Sequence, residues 1–114
     1  MSRSLALILA FASVIIAADV SGTWSGIMGS ATETGRIYLT LKQDGQKISG
    51  MIAYGDESRP VPIEAPALRG DVFFFEVHDN LKRLVRFSLT VSGDMLTGEA
   101  TSGDKVMPVN LTRR

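Results

Sequence analysis

The chain contains no cysteine, one histidine and one tryptophan in 114 residues. Without cysteine there is no disulfide framework, no thiolate zinc set and no thiol nucleophile. A single histidine removes the multi-histidine metal centres. That residue, His78, lies in Glu76-Val77-His78-Asp79-Asn80. A carboxylate beside a histidine suits a general base. The same run suits a hairpin loop, because Asp and Asn favour turns. There is no Gly-x-Ser-x-Gly elbow, and no compact acidic loop offers alternating oxygens to calcium. Twelve basic and twelve acidic residues cancel, and neither sign gathers into a patch for nucleic acid or an anionic membrane. No segment after residue 18 repeats its apolar residues at helical spacing. The expectation is therefore no metal, no cofactor and no enzymatic activity.

What is present begins with an apolar run. Arg3 precedes Leu5 to Ala18, a stretch of small and apolar residues broken only by Ser13, and Ile16-Ala17-Ala18 meets an acidic residue at Asp19. This pattern predicts a signal peptide over 1–18 and a single domain over 19–114. Fourteen residues are short of the roughly 20 that span a bilayer, which favours cleavage over the competing reading of an uncleaved anchor, and no membrane span is expected in the mature chain. A lipid-attachment box is excluded by the missing cysteine. A small exported domain without disulfides must be held by its core. That suits a bacterial periplasmic or secreted protein.

The rest reads as strands. Two segments repeat at an offset of 48 residues: Leu39 to Ala53 and Phe87 to Thr101. Under this offset Leu39 meets Phe87, Leu41 meets Leu89, Gly45 meets Gly93, Ile48 meets Leu96 and Gly50 meets Gly98. Each segment is an alternating strand, a tight glycine turn and a second alternating strand. Alternation elsewhere places eight strands near 22–28, 35–43, 46–54, 60–68, 71–77, 83–92, 94–101 and 104–113. The fourth is irregular. Pro60, Pro62 and Pro66 cannot donate to a ladder, which predicts a break or bulge near Ala65-Pro66. The fold class expected is all-β, an eight-stranded antiparallel up-and-down barrel. Its outward positions carry Arg, Lys, Thr, Ser and Glu, unlike a membrane barrel.

The connections alternate in length. Asp44-Gly45, Gly70-Asp71 and Gly93-Asp94 are tight turns, whereas Gly29 to Thr34, Gly55 to Arg59 and His78 to Lys82 are longer links. In a meander alternate connections share an end. The barrel is expected to be a cup, pinched at one end and ringed by loops at the other.

Gly22-Thr23-Trp24 at the head of the first strand, followed by a glycine-turned meander, resembles the calycins, the lipocalins and avidins among them. The steps Ile48-Ser49-Gly50 and Leu96-Thr97-Gly98 resemble an avidin-type strand. The run from Asp19 to Gly26, with Leu41 to Gly50, is similar to a group of small bacterial secreted proteins. The lipocalin resemblance implies a Trp24 that plugs the floor, with an arginine from the last strand packed across it, and Arg113 matches that arginine. Avidins hold biotin with several tryptophans; this chain has one, so biotin binding is not implied.

Recognition is expected at the looped end, where loops sit on a rigid wall. Tyr54, Glu57, Arg59, His78 and Asp79 are the candidate contacts. Two functions remain open: a binding module for a small apolar or amphipathic ligand held in the cup, or a protein-binding inhibitor or envelope accessory factor. In Phe73-Phe74-Phe75 the flanking rings face inward, and an outward Phe74, with Tyr38, is a candidate subunit or partner interface.

Overall fold

The computed structural model describes residues 18–29, 34–55, 59–79 and 81–114. Glu57 and the apolar segment before residue 18 lie outside them. Among the described residues there is no helix. Nine strands form one antiparallel sheet: β1 (Gly22–Gly29), β2 (Thr34–Asp44), β3 (Lys47–Tyr54), β4 (Val61–Pro62), β5 (Glu64–Arg69), β6 (Val72–His78), β7 (Leu84–Ser92), β8 (Met95–Ser102) and β9 (Lys105–Arg113). Their spatial order is β4-β3-β2-β1-β9-β8-β7-β6-β5. β1 pairs with both β2 and β9, so the first and last full strands meet and the sheet curls into a nearly closed up-and-down barrel.

The expected eight strands are nine because the fourth run splits. Its first half, Val61 and Pro62, pairs only with β3, opposite Ile52 and Met51. Its second half pairs only with β6, and the register shifts between Glu64 and Ala67. Ile63, between the halves, donates its N–H to the Gly50 carbonyl at 3.0 Å and buries its side chain. Ala65 takes a positive φ of 49° inside the bulge. The prolines account for the split. Ile63 turns its N–H to β3, so Pro62, one step earlier, lacks the N–H that would face away from β3 toward a strand on the other side, and Pro66 lies inside the register shift against β6 with no N–H to donate. One interrupted strand therefore spans the seam of the barrel, at the bulge the proline spacing predicts.

The 48-residue repeat is structural. β3 and β8 superimpose in sequence from end to end, and each is hairpin-paired to its partner, β2 or β7. The equivalence extends into the seam: Val61 and Ile63 match Val109 and Leu111, all inward-facing.

Alternation sends one set of side chains into the lumen. Leu39, Leu41, Ile52, Leu89, Leu96 and Leu111 are buried there. Phe75 stacks on Phe87, its partner across β6 and β7, with ring centroids 4.5 Å apart, and Phe73 tilts against Phe75 at 5.2 Å. No polar or charged residue is buried among the described residues, so the interior needs no internal ion pair.

Such a narrow barrel bends its strands sharply, and the bends fall at inward glycines. A Cβ on Gly26 would run into the Asn110 and Leu111 backbone of β9, and one on Gly98 into the Ser88 backbone of β7. Neither obstacle is a flexible side-chain end. Gly26→Ala is thus expected to destabilise by at least about 1 kcal/mol, in the range of over-packed cores. Gly35→Ala, where a Cβ meets nothing within 4 Å, is the control and should stay within about 0.5 kcal/mol of the parent. Urea unfolding midpoints at constant slope measure both; equal midpoints would contradict the backbone contact.

Candidate functional site

The two ends of the barrel differ as the connection lengths predict. At the narrow end lie the turns β2–β3, β5–β6 and β7–β8, with Gly45, Gly70 and Gly93 in the left-handed conformation at φ of 64°, 62° and 60°. Residues 18–21 cross this end as a plug. Val20 is fully buried; its N–H is held by the Gln43 side chain at 2.8 Å, and its carbonyl accepts from Trp24 Nε1 at 3.0 Å. Gln43 also donates to the Ala18 carbonyl at 3.3 Å.

Trp24 is itself fully buried, and the Arg113 guanidinium carbon sits 4.3 Å from its ring centre. Arg113 donates to Asp94 Oδ1 at 3.0 Å, to the Asp19 carbonyl at 3.0 Å and to the Ser21 carbonyl. Trp24 and Arg113 thus pack face to face at this end, and the nearly closed antiparallel barrel is compatible with a calycin-like fold. Among the described residues Val20 and Trp24 fill this end, and both are fully buried.

At the looped end the described residues enclose a cavity of about 490 Å³, lined by Met28, Tyr54, Val85 and Met107 from the strands, and by Asp79, Leu81, Arg83, Ser102 and Lys105 around the rim. This is the size range of small-molecule sites. The strand residues reach it by alternation. Met28 lies on the inward face of β1 two steps beyond Gly26, and Tyr54 ends the inward face of β3. Burial, reinforced by the nearby Asp79 charge, pushes the Tyr54 hydroxyl up to about 12, so it remains a neutral phenol at neutral pH.

The 79–83 link is a built loop. Asp79 Oδ1 accepts from the Leu81 and Arg83 N–H groups, both at 2.9 Å, and Oδ2 accepts from Arg83 Nε at 2.9 Å. The Lys82 N–H closes on the Asp79 carbonyl at 2.8 Å, with Lys82 at a positive φ of 63°. Burial alone would raise the Asp79 carboxyl; the hydrogen bonds from Arg83 and Leu81 outweigh it and hold the group below its ordinary value.

Of the five rim residues the sequence singles out, Tyr54 and Asp79 are brought together at the cavity. His78 ends β6 on the outward face, with Nδ1 2.9 Å from Glu64 Oε2 across the seam. Its partner is on the outer wall, not in the cup. Arg59 is exposed and does not line the cavity. The remaining wall residues were missed. Ser102 carried a signal, since the 48-residue offset matches it to Tyr54. Met28 carried another, since it shares the face of Trp24. Arg83 and Lys105 fall on the looped rim by the connection pattern, where mixed charge reads as a solvated edge.

Tyr38 and Phe74 do not form one patch. Tyr38 is half-buried on β2 beside Ser25 and Ala53, and Phe74 is exposed on β6 beside Ala67 and Ser88. β3 and the seam strand lie between them. Among the described residues no cluster of three or more His, Asp or Glu side chains is placed to hold a metal ion, and no helix is long and apolar enough to cross a membrane.

No protein-family model matches the chain, and none of the curated proteins does so at a significant level.

Proposed function

We propose that this chain is an exported, non-enzymatic binding module that takes a small amphipathic ligand into the looped mouth of its barrel, in the bacterial periplasm or outside the cell. The observation that carries the reading is the cavity of about 490 Å³ above a fully plugged floor. Its deep wall is apolar, from Met28, Val85 and Met107, and its rim is polar, from Asp79, Arg83, Ser102 and Lys105. That gradient suits a molecule with one apolar and one polar end. A second reading, a protein-binding inhibitor or envelope accessory factor, draws on Leu81. This residue is 71% exposed at the lip of the mouth, where an apolar side chain suits contact with a partner.

Native mass spectrometry of the chain taken from its own source separates the two. The wild type is expected to carry a small-molecule adduct. Ser102→Trp, which puts a large ring into the mouth from the end of β8, is expected to fold normally by circular dichroism and to carry none. A protein partner in place of the adduct, retained by Ser102→Trp and lost on Leu81→Asp, would favour the second reading and sink the first.

A further inference from the structure

We propose that the ligand of this cavity carries a single negative charge and that Arg83, held in place by Asp79, is the group that receives it. The proposal rests on the ligand-binding reading above and adds to it the chemistry of the ligand's polar end.

Three ionisable groups of opposite sign line the cavity: Arg83 and Lys105 are basic, and Asp79 is acidic. Asp79 is already committed. Its side chain is only 18% exposed, and both of its oxygens accept hydrogen bonds from its own loop. Three of its acceptor positions are thus taken up in closing the loop.

Arg83 is the reverse case. Its side chain is 65% exposed, its Nε is fixed on Asp79 Oδ2, and its two terminal nitrogens make no hydrogen bond to the described residues. A guanidinium pinned through Nε is pre-organised, because less side-chain freedom is lost when an anion docks. Its remaining N–H fork matches a carboxylate or another oxyanion. Lys105 lines the same cavity from the start of β9. The Tyr54 hydroxyl stays neutral at neutral pH and adds no opposing charge. Below this polar edge, Met28, Val85 and Met107 give an apolar tail somewhere to go. Tail inward and anion at the lip is the orientation the lining imposes. Asp79 is then a positioning residue, acting on the ligand only through Arg83.

The test uses isothermal titration calorimetry on the folded domain at neutral pH, with three probes sharing one alkyl tail: decanoate, decanol and decylammonium. The wild type is expected to bind decanoate at least tenfold more tightly than the other two, with added salt weakening decanoate alone. Arg83→Gln should abolish that preference, bringing decanoate affinity to the level of decanol. Arg83→Lys, which keeps the charge and loses the fork, should retain part of the preference. Asp79→Asn should lower the ratio of decanoate to decanol affinity. Should decanol bind as tightly as decanoate, or should Arg83→Gln keep the full preference, the proposal is overturned while ligand binding stands. Should none of the three probes bind the wild type, the ligand-binding reading falls and this proposal with it.

Discussion

Trp24→Ala is expected to lower the unfolding free energy by about 3–5 kcal/mol, the range for removing a large aromatic from a packed core. No other aromatic replacement should cost more. The reason is what Trp24 holds. It is fully buried and stands between Leu39 of β2 and Arg113 of β9 in the ladder, so it spans the junction where the first and last full strands meet. Its Nε1 also ties down the Val20 carbonyl. Loss of the ring opens a cavity in the floor and frees the plug of residues 18–21 in the same step. Phe75 and Phe87 are buried too, but each is backed by another ring and lies within one continuous ladder. Chemical unfolding of the three alanine variants ranks them; a Phe75 or Phe87 variant less stable than the Trp24 variant would place the keystone in the middle of the barrel.

Arg113→Ala is the second large effect, expected at about 1.5–3 kcal/mol. Arg113 is only 25% exposed, covers the Trp24 ring, and joins Asp94 of the β7–β8 turn to the Asp19 and Ser21 carbonyls of the plug. Arg113→Lys should recover less than half of the loss, because an ammonium cannot lie flat on the ring while donating in three directions. Among the described residues the side chain of the neighbouring Arg114 hydrogen-bonds only Ser25 Oγ, at 3.4 Å, so Arg114→Ala should fall within about 0.5 kcal/mol of the parent. Matching unfolding midpoints for the Arg113 and Arg114 variants would remove the stacked pair from the account of the floor.

Much of this architecture was legible in the chain because local rules fixed it. Strict alternation in Ile37-Tyr38-Leu39-Thr40-Leu41 and Val85-Arg86-Phe87-Ser88-Leu89 set the faces of β2 and β7. The glycine turns set which end is narrow. The prolines located the seam, although not that the halves of one strand pair on opposite sides, since that depends on where β3 and β6 come to rest in space. The candidate site was legible only in outline. Tyr54 and Asp79 were reachable because they flank loops at the right end. His78 ends β6 beside the loop, and one step of alternation turns it outward onto Glu64. Arg83 and Lys105 acquired their place from barrel closure, which brings the starts of β7 and β9 to one mouth. Tyr38 and Phe74 were separated for a related reason: outward alternation says which face a residue takes, and only strand order says which neighbours it has.

The central claim is that this is a cup with a sealed floor that receives its ligand at the looped end. The chain carries its own reporters. Met28 and Met107 line the cavity, while Met51 and Met95 are exposed on the outside, 41% and 46% respectively. Methyl-resolved nuclear magnetic resonance of methionine-labelled protein during a decanoate titration reads all four at once. The account predicts saturable shifts of the Met28 and Met107 methyl signals with Met51, Met95 and the Trp24 indole unmoved; shifts at Met51 or Met95 with Met28 and Met107 silent would contradict it and move binding to the outer wall.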